Sequence, residues 1–128
     1  MTDAYARYSP IFRPRVLAVV GASATGVTPG NEFIRHSRAL GFDGRLVPVH
    51  PSAASIEGLP TAKSFADIGE TVDFAYIAVG AQHVPDLIAS AAGRVRYAQV
   101  MSSGFGEVAE GRALEKRLRD GARAAGVR

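Results

Sequence analysis

Four short apolar runs, each stopped by glycine, serine or proline, constrain this chain more than anything else in it. Val16-Leu17-Ala18-Val19-Val20 ends at Gly21, and Leu46-Val47-Pro48-Val49 ends at His50-Pro51. Phe74-Ala75-Tyr76-Ile77-Ala78-Val79 breaks at Gly80, and Tyr97–Met101 gives way to Ser102-Ser103-Gly104. Runs without polar alternation suit strands buried on both faces of a parallel sheet. Helical spacing fills the intervals. Thr28 and Pro29 fit a cap and a first turn, Phe33, Ile34, Ser37 and Leu40 share a face, and Gly41 closes that helix. A second helix starts near His83 and Pro85, runs through Val84, Leu87, Ile88 and Ala91, and stops at Gly93. A third, from about Glu107, sets Leu114, Leu118, Ala122 and Ala125 on one stripe before Gly126.

Strands alternating with helices make an α/β domain, and right-handed crossovers narrow it to a doubly wound, Rossmann-like parallel sheet. The expected architecture is one three-layer domain of about five strands in the order 3-2-1-4-5. Pro60–Ala62 is its weak third strand, and Ser64–Ile68 one helical turn. Pro48 marks a position that gives no ladder hydrogen bond. Residues 1–13 show no clear period and read as an N-terminal arm to a domain over 14–128, with Tyr5, Tyr8, Ile11 and Phe12 free to pack on it. The chain stops at Val127-Arg128, where another strand would begin, so the expectation is a domain cut from a longer multidomain chain.

A chain of 128 residues fits one core. Having no cysteine, it has no disulfide, thiolate metal site or cysteine nucleophile, which fits a reducing cytoplasm. Neither a signal-peptide core nor an apolar run near the ~18 residues of a membrane span is present, so the expectation is a cytoplasmic protein with no membrane partner. Net charge is only +3. Arg112, Lys116, Arg117, Arg119 and Arg123 are interleaved with Glu115 and Asp120 and read as a solvated helix face with pairs such as Glu115–Arg119. Aromatics do not alternate with these bases, which argues against nucleic acid. A homo-oligomer remains compatible with the sequence.

In such sheets ligands meet the loops beyond the carboxyl ends of the strands. Those loops contain Gly21, Ala22, Ser23, Ala24 and Thr25; His50 and Pro51; Val79, Gly80 and Ala81; and Ser102 and Ser103. Gly21 permits a tight turn, small neighbours let backbone amides approach an anion, and the next helix aims its N-terminus there. The chemistry implied is phosphate or pyrophosphate, against the plainer reading of a turn glycine without a ligand. The dinucleotide pattern G-x-G-x-x-G is absent, and Gly26 is followed by Val27 rather than the lysine of a P-loop. His50 stands where nicotinamide binders place an acid for the ribose. His36, His50 and His83 have no triad or metal-ligand spacing, so no catalytic or metal residue is assigned.

Residues Phe12–Ser23 resemble the opening of the CoA-binding domain of ADP-forming acyl-CoA ligases, such as the ADP-forming acetyl-CoA synthetases. Pro48-Val49-His50-Pro51, Gly58-Leu59, Val72-Asp73 and Ser102-Ser103-Gly104-Phe105, with Glu107 after them, fall at that family's spacing. The likeness covers about residues 11–128 and extends to the alpha subunit of succinyl-CoA synthetase. It implies that this domain holds CoA as a substrate. ATP, ADP and Mg would belong to an ATP-grasp region, and a phosphohistidine to a further domain, both outside this fragment, which alone would not be active. By resemblance, Gly21 to Thr25 line the CoA phosphates, and Val79, Gly80 and Ala81 border the nucleotide and pantetheine groove with Ser102 and Ser103 close by. Pro51 shapes the adenosine end by the same resemblance, while His50, from its own place at the strand end, is read as a contact to the ribose. Two positions depart from the family: Ser52 and Ala53 stand where a base often follows the proline, and Gly80 where proline is common. The alternatives are a stand-alone CoA-binding protein and the NAD(P)-binding domain of an oxidoreductase.

Overall fold

The computed structural model describes residues 2–128. Its centre is a parallel sheet formed by four apolar segments: β1 (Val16–Val20), β2 (Arg45–Val49), β5 (Val72–Ile77) and β6 (Val95–Val100). The order is β2-β1-β5-β6, with Val20 opposite both Val49 and Ile77, and Ile77 opposite Val100. This is the expected 2-1-4-5 core of a doubly wound sheet. Every residue of β1 is buried, as a central strand covered on both faces must be. On one face, Leu17, Val19 and Tyr76 pack with Ile34 and Phe33 of α2 (Pro29–Ala39), and the Phe33 and Tyr76 rings stack at 4.0 Å. On the other, Ala18, Val20, Ala75 and Ile77 meet Val84 and Ile88 of α3 (Val84–Ser90), with Leu114 and Leu118 of α4 (Arg112–Ala125) beside them. Three layers result.

The fifth strand is a correction. Leu59–Pro60 (β4) pairs with Ser55–Ile56 (β3) in a separate hairpin turned by Glu57 and Gly58, both at positive φ. Among the described residues of this segment, Ala62 bridges to the sheet, in a single parallel bridge to Val49: its amide donates to the Pro48 carbonyl and its carbonyl accepts from His50. A strand residue points its N–H and C=O the same way, so the Pro48 ring nitrogen also faces outward with no hydrogen to give. The ladder stops after one bridge. The turn expected at Ser64–Ile68 is present as a 3-10 helix over Phe65–Ile68.

Residues Thr2–Phe12 form a helix, α1, where the sequence suggested an arm without period. Pro10 lies inside it and argues against helix, because its nitrogen cannot serve the Ala6 carbonyl. The Ser9 hydroxyl donates to that carbonyl instead. The Tyr97 hydroxyl donates to the Arg7 carbonyl, and the Tyr8 ring lies 6.4 Å from that of Tyr97. Tyr8 is therefore the residue of the expected set that meets the sheet, while Tyr5 and Phe12 stay largely exposed. Leu40, expected on the apolar face of α2, is also exposed, because it falls at the cap where the helix unwinds into Gly41 at φ +84°.

At the other end of the chain α4 starts at Arg112, after a 3-10 turn over Ala109–Gly111, rather than near Glu107. Gly126 ends it in the left-handed region, and the Val127 amide returns to the Ala122 carbonyl in a Schellman-type closure. Arg128 then exchanges backbone bonds with Arg96 and Ala98 along β6. The Glu115–Arg119 pair is present at 3.8 Å, beside Lys116–Asp120 at 2.6 Å, both on an exposed face. No helix of the described residues is long and apolar enough to cross a membrane.

Two glycines fix how β1 passes into α2. Gly21 has φ +109°, and a Cβ there would run into the Ala78 carbonyl at the end of β5. A Cβ on Gly30, in the first turn of α2, would lie 2.7 Å from the Ala22 nitrogen. Helix and strand ends thus touch backbone to backbone. Gly21→Val, which adds a branched side chain at positive φ against a main-chain oxygen, is expected to destabilise the fold by about 1–3 kcal/mol or more. Urea denaturation measures this; an unchanged midpoint would show that the turn has another conformation.

Candidate functional site

Strand register places the four loops on one edge. Because Val20 lies opposite Val49 and Ile77, and Ile77 opposite Val100, the segments starting at Gly21, His50, Ala78 and Met101 leave the sheet side by side. Gly21 touches Ala78 through backbone. The Ser102 hydroxyl donates to the Val79 carbonyl, and a Cβ on Gly104 would sit 3.5 Å from that of Ala81. The groups 21–25, 79–81 and 102–103 are therefore joined around the switch point between β1 and β5, as the sequence expects. A cleft of about 620 Å³ lined by Phe12–Arg15 and Phe42–Gly44 opens at the opposite edge, where strands begin and such folds do not bind their ligands.

The 21–28 loop is built around Asn31, a fully buried polar side chain that the sequence did not single out. Its Oδ1 accepts from the Ser23 amide at 2.8 Å and from the Thr28 hydroxyl at 2.6 Å. Its Nδ2 donates to the Ser23 carbonyl at 2.9 Å and to Glu57 Oε2 at 3.0 Å. Every hydrogen-bonding position of the amide that faces the loop is used, as burial requires. Thr28 caps α2 by accepting from the Asn31 amide, and its hydroxyl also lies 2.9 Å from Gly21 O, the one proton being shared between that carbonyl and Asn31 Oδ1. The Ser23 hydroxyl pairs with that of Thr25 at 2.8 Å. With the Ser23 amide committed to Asn31, those of Ala24 and Thr25 have no protein acceptor among the described residues, and both residues are exposed. Both lie ahead of the positive end of α2.

His50 is part of the edge but its ring turns onto its own chain. Nδ1 accepts from the amides of Ser52 at 3.1 Å and Ala53 at 2.9 Å, closing a turn over Pro51. In the neutral ring the proton is then on Nε2, so His50 offers an outside partner a donor and no acceptor. Pro51 and Ser52 are exposed at this corner. Gly80 has φ −56°, a value proline adopts, and a Cβ there would meet only the mobile end of Gln82. It is not a glycine that the backbone demands.

Glu107, expected to open a helix, caps the preceding turn instead. Its carboxylate accepts from the amides of Gly104, at φ +106°, and Phe105. The Gly104 amide bond, with help from the amides of Glu107 itself and Phe105, holds the Glu107 carboxyl below its ordinary value of 4.5. Among the described residues no group of histidines and carboxylates could hold a metal ion.

A family model described as a CoA binding domain matches residues 15–128. The chain belongs to that family. Among the relatives of this CoA-binding domain is the ADP-forming acetate–CoA ligase II of Archaeoglobus fulgidus, 38% identical over 120 residues, which are 92% of this chain and 18% of that protein. The alpha subunit of the ADP-forming acetate–CoA ligase I of Pyrococcus furiosus is 33% identical over 124 residues, 92% of this chain and 27% of the subunit. The apo structure of the dinucleotide-forming acetyl-coenzyme A synthetase 1 of Candidatus Korarchaeum cryptofilum superposes with a TM-score of 0.89 at 33% identity, over 94% of this chain and 26% of that one. The CoA-binding domain thus spans less than a third of these proteins.

The geometry yields two expectations. Gly80→Pro, which fixes a φ the chain already holds, should stabilise the domain by about 0.4–1 kcal/mol in thermal or urea unfolding; a loss of stability would mean that the Gly80 amide is needed. For Glu107, the folded carboxyl titrates below its unfolded value, so its contribution is present above 4.5 and is lost as pH falls through the folded value. The Gly104 amide resonance should shift with a midpoint below 4.5, and Glu107→Gln should abolish the transition. A midpoint at or above 4.5 would overturn the cap.

Proposed function

We propose that this chain is the CoA-holding part of an ADP-forming acyl-CoA ligase, an enzyme that makes acyl-CoA from a carboxylic acid, CoA and ATP. The observation that carries the reading is the pair of unclaimed amides at Ala24 and Thr25, ahead of the α2 N-terminus, in a domain of this family. Gly21, Ala22, Ser23, Ala24 and Thr25 receive the CoA phosphates. Val79, Gly80 and Ala81 border the pantetheine, Ser102 and Ser103 lie beside its path, and Pro51 shapes the adenosine end with His50 as a donor to the ribose. The chain binds and orients; it supplies no nucleophile. An acyl phosphate formed elsewhere in the enzyme is attacked at its carbonyl carbon by the CoA sulfur, and phosphate leaves. The phosphohistidine and the ATP-grasp region with its Mg belong to other domains, as in the family it resembles, and the setting is the cytoplasm.

Hydrogen-bond polarity separates CoA from a nicotinamide dinucleotide. A ribose diol donates two hydrogens that a carboxylate at the end of β2 would accept. Here Nδ1 of His50 is already occupied by Ser52 and Ala53, leaving only a donor. Calorimetry with CoA and with NADH tests this: CoA is expected to bind the more tightly. Equal or tighter binding of NADH would overturn the assignment.

A further inference from the structure

The resemblance read from the sequence implies a base just after the β2 proline, and this chain has Ser52 and Ala53 there. A cation nevertheless stands at the phosphate loop, arriving from the helix side. Arg35 lies one turn beyond Asn31 on α2, and its Nη1 donates to Gly26 O at 3.2 Å and to Glu57 Oε2 at 3.0 Å. Nε and Nη2 meet no acceptor among the described residues, and the side chain is 47% exposed against 16% for Glu57. The guanidinium is therefore pinned through one nitrogen, while its remaining edge is open beside the loop.

Glu57 is held firmly enough to act as that pin. It occupies the hairpin turn at φ 52°, a left-handed value for a residue with a side chain. Arg38 Nη1 donates to its carbonyl at 2.6 Å, and Asn31 Nδ2 to the same carboxylate oxygen that Arg35 reaches. Asn31 also ties that oxygen to Ser23, so Glu57 brackets the loop at Ser23 and at Gly26. The open edge of a guanidinium presents two parallel donors, the geometry that matches two oxygens of one phosphate.

We propose that Arg35 is the phosphate-binding cation of this domain, receiving a CoA phosphate on Nε and Nη2, with Glu57 as its positioning residue. The inference rests on the reading of residues 21–25 as the phosphate loop. It puts on α2 the basic contact that Ser52 and Ala53 do not supply. A ligand phosphate is then met by the Ala24 and Thr25 amides on one side and by the guanidinium on the other.

The test is calorimetry of the full chain and of Arg35→Gln and Arg35→Lys with CoA and dephospho-CoA, at low and high salt. Arg35→Gln should weaken CoA about tenfold at low salt, the effect of one charge-assisted contact discounted for exposure. Its affinity should fall less with added salt than that of the wild type, which a purely structural loss would not produce. Arg35→Lys should recover part of the loss. An equal loss with both ligands places the arginine on the pyrophosphate, and a loss confined to CoA places it on the 3′-phosphate; either supports the proposal. Wild-type affinity and salt dependence in Arg35→Gln would overturn it while leaving CoA binding intact. A wild-type chain that binds neither ligand would overturn the functional reading and this proposal together.

Discussion

Gly21 and Gly30 let three pieces of backbone meet where side chains would normally hold them apart. The end of β1 lies against the Ala78 carbonyl of the neighbouring strand, and the first turn of α2 lies against the Ala22 nitrogen. Much of the ligand-facing edge follows from that contact. With α2 drawn this close, its N-terminal turn lies against the sheet edge where β1 ends. The loop of residues 21–28 has little length to spare and must be small-residue backbone. Backbone exposed in this way can approach an anion more closely than any side chain would allow. The two glycines therefore set both the packing of the layer and the kind of ligand its edge can take.

A loop with so few apolar contacts needs another source of order, and Asn31 supplies it. One buried amide fixes Ser23 through both its N–H and its C=O, and reaches the hairpin through Glu57. An unpaired amide at that depth would cost roughly 1–3 kcal/mol, so full satisfaction is what makes the residue stabilising there. Its commitment to Ser23 also decides which amides remain for a ligand. The hairpin of β3 and β4, too short to stand alone, gains its place from the same side: Ile56 is buried under the α2 face while Glu57 meets Asn31, Arg35 and Arg38. Arg35 and Glu57 form a pair in which the arginine is half exposed and the carboxylate mostly covered. Such a pair adds little stability by itself, and its weight is in direction.

The strands were legible because each is largely apolar and ends near a residue that stops strands, although β6 alternates through Arg96 and Gln99, and register then put their ends on one edge. The four candidate loops could be named from that alone. What could not be read depends on contacts between distant residues or on exceptions to local rules. Pro10 argues against a helix, and only the Ser9 hydroxyl filling in at Ala6 makes it acceptable. Pro48 warned of a gap in the ladder, yet the chain's diversion into a hairpin needed the Glu57-Gly58 turn to be recognised in a pair lacking the usual asparagine or aspartate. Glu107 resembles a helix starter in sequence, whereas its carboxylate looks backward to Gly104 and Phe105. Asn31 and Glu57 are 26 positions apart, and a polar residue on an amphipathic helix gives no local sign that it will be buried.

The two halves of the edge are ordered by different physics, and that difference matches the parts of the ligand they would meet. The phosphate side is set by backbone contact, a buried amide and an ion pair, all anchored in α2 and the hairpin. The 102–107 side depends on the Ser102 hydroxyl at Val79, the exposed Glu107 carboxylate and a glycine at positive φ. Phe105 anchors that side in the core, but the exposed Glu107 contact at Gly104 opens at lower cost than the buried bonds of the Asn31 cluster. A phosphate gains from donors that are already in place, since ordering them on binding would subtract from affinity. Under the proposed function, a pantetheine arm carrying its sulfur to an acyl group held by another domain would gain from a border that can yield. The division between a fixed end and an adjustable end thus follows from where the fold buries its polar groups.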